Sequence, residues 1–334
     1  MTTNWFEGLF GFVEQSYDET RANLEVVGKT LRSRVNGRSF VVGDLSIPSV
    51  KELRDEAAGL VAGLRGRLSV SNVHGDVRRM HADPAHRHAL FQVASQFNLL
   101  EMTAPDLTPE HGITRYAHDH TQGPACALSA AAATAYRNYF APTDGQIGQT
   151  RHHQIDCLRD VGTRLGNTGH SLWEMRNGYA LCTQAGLSAI DEVLQSSAPE
   201  SLDEVRDLLR VGVHSGVQVT DVPGEHLVSQ VFCSALPVSY SHLRAGHWQR
   251  FAVLVLEGAY EATMWAAVIN ANRTGSNMVL LTLLGGGAFG NERAWIHGAM
   301  RRALKKVVGV SLDVRVVSFH EPNLELKRLV AESA

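Results

Sequence analysis

Met278-Val279-Leu280-Leu281-Thr282-Leu283-Leu284-Gly285-Gly286-Gly287-Ala288-Phe289-Gly290-Asn291 reads as a buried strand running into a glycine turn, and a helical pattern from Glu292 to Val307 follows at once. Glycines let the backbone approach a ligand closely and point successive N–H groups at it. The start of the following helix adds the positive end of its dipole. Such a turn suits a phosphate. A plain tight turn is the alternative, but three consecutive glycines with a fourth three positions on cost more chain entropy than turning alone requires.

Working outward, short apolar runs alternate with helical segments from Leu68 onward. The runs are Leu68 to Val73, Leu90 to Ala94, Val211 to Thr220, Leu227 to Leu236, Met278 to Leu284 and Leu312 to Phe319. Helices are expected over Gly123 to Phe140, Phe251 to Asn270 and Glu292 to Val307. Strand and helix taking turns implies an α/β sandwich around a parallel or mixed sheet. Ala141 to Tyr179 and Gln195 to Asp207 break the rhythm and read as an insertion and a linker. Before Leu68, an apolar face on Trp5 to Val13 predicts a docking helix, and Asn36-Gly37 predicts a hairpin. Ser49 with Glu52 marks a capped helix start, continued at helical spacing by Leu53, Ala57, Leu60, Val61 and Leu64. Residues 1–66 therefore read as an N-terminal helix and hairpin extension, and 67–334 as the main domain with an insertion at about 141–207.

Composition excludes several classes. The 334 residues are 44% hydrophobic, enough for one large core or two modest ones. Lys plus Arg number 31 against 34 Asp plus Glu, without the basic excess of a dedicated nucleic-acid binder. Cys126, Cys157, Cys182 and Cys233 have no paired spacing, so reduced thiols are expected. The N-terminus lacks a basic leader and an apolar run, and a cytoplasmic location is expected. Glu257 and Glu261 interrupt the apolar stretch from Phe251 to Asn270, which reads as a buried helix and not a membrane span. The histidine pairs His86-x-His88, His118-x-His120 and His152-His153 lack a third ligand at fixed spacing, so no metal is expected.

Gly285-x-Gly287-x-x-Gly290 also fits the dinucleotide-binding fingerprint, with Asp313 downstream as the tempting ribose acid. Only 44 residues follow Gly290, room for one more helix and strand, whereas that fingerprint should open a sheet with several strands to come. Asp313 also begins its strand where a ribose acid should end one. The turn is expected to serve a sheet built from earlier strands.

Three upstream segments agree with that placement. Val73-His74-Gly75-Asp76-Val77, Leu90-Phe91-Gln92-Val93-Ala94-Ser95-Gln96-Phe97-Asn98 and Thr121-Gln122-Gly123-Pro124-Ala125-Cys126-Ala127 fall in the order strand end, strand end, loop into an Ala-rich helix. With the glycine turn, they resemble the macrodomain superfamily, the ADP-ribose-binding α/β/α fold, over roughly residues 68–140 and 208–320. The Ala94-Ser95 run with a later Gly-Ala helix is also similar to the poly(ADP-ribose) glycohydrolase branch. Two features depart from that branch. The first loop has no Gly-Gly-Gly, and the helix after it has no Gln-Glu-Glu, the element that carries the catalytic acid there.

The resemblance implies a three-layer α/β/α mixed sheet and a set of site residues. Asp76 would accept a hydrogen bond from the adenine amino group, or else cap the next turn. Phe319 would stack on the adenine, or else belong to the core. Asn98 would face the distal ribose. Gly285, Gly286, Gly287, Ala288, Phe289, Gly290 and Asn291 would wrap the diphosphate, with Phe289 against the distal ribose. Gly123 and the helix start at Pro124 would supply opposing donors. Glu101 and Asp119 are the acids near enough to serve as general base, or else are solvated loop charges. The expected function is binding of ADP-ribose or an ADP-ribosyl group and hydrolysis of an ADP-ribosyl linkage, with no cofactor. The alternatives are a non-catalytic ADP-ribose reader and a binder of another nucleotide diphosphate.

Overall fold

The computed structural model describes residues 4–319 and 324–333. Among them, a seven-stranded sheet is built from β1 (Asp44–Ser46), β2 (Ser69–His74), β3 (Leu90–Ala94), β4 (Gly212–Gln218), β5 (Leu227–Cys233), β6 (Met278–Leu281) and β7 (Asp313–Ser318). The helices that matter for the site are α1 (Val50–Ala58), α2 (Val77–Ala82), α3 (Gln122–Ser129), α4 (Ala131–Tyr139), α5 (Pro199–Asp207), α6 (Ala245–Thr274) and α7 (Arg293–Lys306).

The strand order is β1-β4-β5-β3-β6-β7-β2. Strands β5, β3, β6, β7 and β2 run parallel, with Ser229 opposite Leu90, Val279 opposite Leu90, and Met278 opposite Asp313. Strands β4 and β1 close one edge antiparallel. The apolar runs fit this placement, because strands covered on both faces need no polar alternation.

Side-chain alternation along β3 separates the two helical layers. Phe91 stacks on His81 of α2 with ring centroids 3.7 Å apart, while Gln92, pointing the other way, donates to Thr263 of α6 at 2.9 Å. On β5, Gln230 donates to the Cys126 carbonyl of α3, and Cys233 meets the Ala259 carbonyl of α6. Helices α2 and α3 thus cover one face and α6 the other, with α7 packed along α6. This is the three-layer α/β/α mixed sheet expected from the sequence.

Helix α6 is long and apolar enough to cross a membrane by length and composition, but 89% of its apolar window is buried inside the protein. Its Glu261 is buried between Arg54 of α1 and Arg302 of α7, so the charge that interrupts the run is paired.

Several boundaries differ from expectation. Residues 1–66 are not wholly an extension, since β1 is an edge strand of the sheet and α1 packs on α6. The capping box at Ser49 is present with both bonds, but α1 stops at Ala58 and a 3₁₀ turn covers Val61–Leu64. The helix expected over 123–140 is two helices, broken at Ala130 (φ −114°, ψ 56°), and Pro124 occupies the third helical position, not the first. The expected linker at 195–207 contains α5, whose Arg206 pairs with Glu257 of α6 at 2.6 Å. The sequence pattern missed it because its single buried side chain, Val205, leaves no apolar stripe. All four cysteines are free thiols.

Candidate functional site

The parallel strands end on one edge, and the chain leaves neighbouring β3 and β6 toward opposite layers, to α3 and to α7. Such a switch point leaves a crevice beyond the strand ends. Strand pairing itself opens it. β6 pairs with β3 only at Leu90 and Phe91, after which the strands part. The Gln122 side chain fills the gap, donating to the Gln92 carbonyl and accepting from the Ala94 amide, each at 2.8 Å. Above it lies a cleft of about 150 Å³ lined by Ala94 to Gln96, Glu101 to Thr103, Asp119, Thr121 to Pro124, Tyr179, Ala235, Tyr240, Thr282 to Gly285 and Gly287 to Phe289.

The glycine turn opens onto this cleft. Gly286, Gly287 and Ala288 are exposed, and Gly285 and Gly290 take φ values of +73° and +70°. The turn ties itself with Gly286 N–H to the Leu283 carbonyl, Gly290 N–H to the Gly287 carbonyl and Asn291 N–H to the Gly285 carbonyl. Among the described residues, the amides of Gly287, Ala288 and Phe289 make no such bond, which leaves three donors at the cleft. A Cβ at Gly285 would meet Ala235 at 2.5 Å, so that glycine is required by packing and by its φ. Gly287 has an ordinary φ, and a Cβ there would meet nothing within 4 Å.

Across the cleft, Gly123 lets α3 start directly against the end of β3, where a Cβ would collide with the Ala94 carbonyl oxygen. The same hypothetical Cβ lies 3.2 Å from Cγ of Glu101, so this carboxyl sits under the first turn of α3. Glu101 lines the cleft yet is only 2% exposed. Its Oε1 is 3.5 Å from Nη2 of the fully buried Arg137, and its Oε2 has no partner among the described residues. Burial pushes the Glu101 carboxyl up to about 8, against the pull of Arg137 and helped by the charge of Asp119. Arg137 lies 3.8 Å over the Phe232 ring and donates to the Leu99 carbonyl and the Thr134 hydroxyl. Burial lowers its own pKa.

Of the expected site residues, Glu101, Asp119, Gly123, Gly285, Gly287, Ala288 and Phe289 meet at the cleft. The others do not line it. Asn98 is wholly buried, its amide donating to Gln154 and its oxygen accepting from Leu100 N–H. It fastens a hairpin and does not line the cleft. Asn291 is turned inward to the Leu236 carbonyl at 2.8 Å, and Gly286 and Gly290 shape the turn from behind. Asp76 caps α2 through the Arg78 amide at 2.8 Å, the capping role weighed above. Phe319 is 71% exposed at the end of β7 and belongs to no core.

The structure adds residues that the sequence pattern passed over. The hairpin of Trp173–Arg176 and Tyr179–Cys182, inside the presumed insertion, turns through Asn177 (φ 47°) and Gly178 (φ 80°). It docks on the loop after β3 through Phe97 N–H to the Gly178 carbonyl. That delivers Tyr179 to the cleft, its hydroxyl donating to the Met102 carbonyl at 2.6 Å. The Asn177-Gly178 dipeptide was a readable hairpin signal. Tyr240, from the loop after β5, and Phe289 complete a ring cluster with Tyr179, with centroids 5.1 to 5.6 Å apart. Arg137, in an Ala-rich helix, had no local signal.

No family model and no curated protein matches the sequence. Among solved structures the chain is similar to poly(ADP-ribose) glycohydrolase from Deinococcus radiodurans in complex with ADP-ribose, at 11% identity and a TM-score of 0.44, covering 86% of this chain and 93% of that one. It is similar to poly(ADP-ribose) glycohydrolase from Thermomonospora curvata at 14% identity and a TM-score of 0.41, covering 95% and 96%. The same T. curvata protein bound to the inhibitor ADP-HPD gives 14% identity and a TM-score of 0.37.

Proposed function

We propose that the cleft binds ADP-ribose or an ADP-ribosyl group and hydrolyses the bond at the anomeric carbon of the distal ribose. The observation that carries this reading is the pairing, in one cleft, of three unbonded turn amides with a buried carboxyl whose Oε2 has no partner. Among the described residues, no Lys or Arg lines the cleft. A diphosphate would therefore be held by the turn amides, with the start of α3 facing them across the cleft, an arrangement that suits an anion without a cationic side chain.

The chemistry follows from the protonation of Glu101. With its pKa raised to about 8, the carboxyl keeps its proton at neutral pH and does not repel a diphosphate. It can donate that proton to the leaving atom as the glycosidic bond breaks. Asp119 takes a proton from the water whose oxygen bonds to the anomeric carbon, and both groups then reset with solvent. Acid–base assistance of this kind contributes about 10²- to 10⁴-fold in rate.

Two measurements test the reading. Calorimetric titration with ADP-ribose should show binding to the wild type and none to Gly287→Glu, whose side chain would enter the amide site. Release of ADP-ribose from an ADP-ribosylated substrate should occur with the wild type and fall at least about 100-fold in Glu101→Gln. Binding without release identifies a reader. Failure of ADP-ribose to bind, with another nucleoside diphosphate binding instead, removes the ADP-ribose assignment.

A further inference from the structure

We infer that the wall formed by Tyr179, Tyr240 and Phe289 is a subsite for a planar heterocycle carried on the anomeric carbon of the distal ribose, so that the cleft accepts a pyridinium dinucleotide as well as ADP-ribose. The inference rests on the ADP-ribose reading of the cleft and adds what lies beyond the ribose.

Sheet order supplies the placement. Along the strand ends the sequence is β5, β3, β6, β7, β2. A diphosphate on the turn after β6 leaves one end of the ligand over β7 and β2, where Phe319 and Asp76 lie. The other end then runs over β3 and β5. Glu101 follows β3 and Tyr240 follows β5, so the aromatic wall stands on the side of the acid, away from Phe319. The Tyr179 hydroxyl is tied to the carbonyl of Met102, the residue next to Glu101, which fixes the wall beside the reacting end.

The three rings differ in their exposure, and the difference suits stacking. Tyr179 is 1% exposed and held at both hydroxyl and ring, so it serves as the backing. Tyr240 is 37% exposed and Phe289 is half-buried, and their rings meet edge to face at 5.6 Å. An open aromatic corner in a cleft is a stacking platform for any base, because every base has a π-face.

Charge selects the kind of ring. Asp119 lines the same cleft and is among the charges acting on Tyr179, while no Lys or Arg among the described residues lines it. An aromatic wall beside a carboxylate favours a neutral or cationic heterocycle over a second anionic group, and a cation over a ring face gains further.

The probe is NAD⁺, set against ADP-ribose, by calorimetry on the full chain. Wild type should bind NAD⁺ within tenfold of ADP-ribose. Tyr240→Ala should lower NAD⁺ affinity about tenfold relative to ADP-ribose, the loss of one stacking partner, and Tyr240→Phe should restore it. ADP-ribose binding without NAD⁺ binding, or an equal loss of both ligands in Tyr240→Ala, overturns the subsite and leaves the ADP-ribose reading intact. Binding of neither ligand to the wild type overturns both. Thermal unfolding of each variant alongside shows that the change is not one of folding.

Discussion

Two glycine segments wall the cleft, and they are glycine for different reasons. At Gly123 the missing side chain is demanded by the fold, because the first turn of α3 lies on the Ala94 carbonyl at the end of β3. At Gly287 nothing in the protein occupies the space a side chain would take, and the backbone has an ordinary φ. A glycine whose Cβ would collide with its neighbours reports on packing, whereas the open space at Gly287 leaves its amide accessible at the cleft. The first segment also covers a buried acid, whereas the second offers bare amides, so the acid stands on one wall and the free turn donors on the other.

That division is open to test, beginning where the effect is largest. Glu101→Gln should cut turnover by about 10²- to 10⁴-fold while leaving calorimetric binding of ADP-ribose in place, which would assign the chemistry to the first wall alone. Gly123→Ala should destabilise the fold by about 3 kcal/mol in urea unfolding, because backbone must move, whereas Gly287→Ala should stay within about 0.5 kcal/mol. Equal effects at the two positions would erase the contrast.

The pH dependence of Glu101 sharpens the same point. Its carboxyl is raised from 4.5 to about 8, so between those values the folded state holds a proton that the unfolded state has lost. Stability should therefore fall as pH rises from about 4.5 to about 8, and Glu101→Gln should flatten that slope in urea midpoints measured across the range. Turnover that needs the protonated acid should also decline as pH passes about 8. The smallest effect concerns the far end of the sheet. Asp76→Asn should keep stability within a few tenths of a kcal/mol, since Asn caps as well as Asp, while Asp76→Ala should cost about 1 kcal/mol. Thermal unfolding of the pair tests whether capping is what this residue does.

Much of the architecture could be read from local pattern. The six apolar runs became strands β2 to β7, the glycine turn stands between β6 and α7, and Ser49 with Glu52 made the capping box at the start of α1. These features depend on residues close in sequence. The errors lie where distant segments decide. β1 is a strand because it pairs with β4, some 170 residues away, and Asn98 is a hairpin fastener because Gln154 reaches it. Tyr179 and Tyr240 become a wall only where the hairpin and the loop after β5 meet at Phe289.

The sequence by itself determined the alternation of strand and helix, the glycine turn between strand and helix, and which acids lay close enough in the chain to matter. Periodicity, capping and glycine freedom are properties of neighbouring residues, so they survive without a fold. Only the tertiary structure decided which acid is buried and what stands beside it. The raised pKa of Glu101 comes from the layers packed over it, whose desolvation outweighs the opposing pull of Arg137, 36 positions along the chain. The aromatic wall exists because three segments far apart in sequence converge at one strand edge. Desolvation and convergence are properties of packing, and no window of sequence contains them.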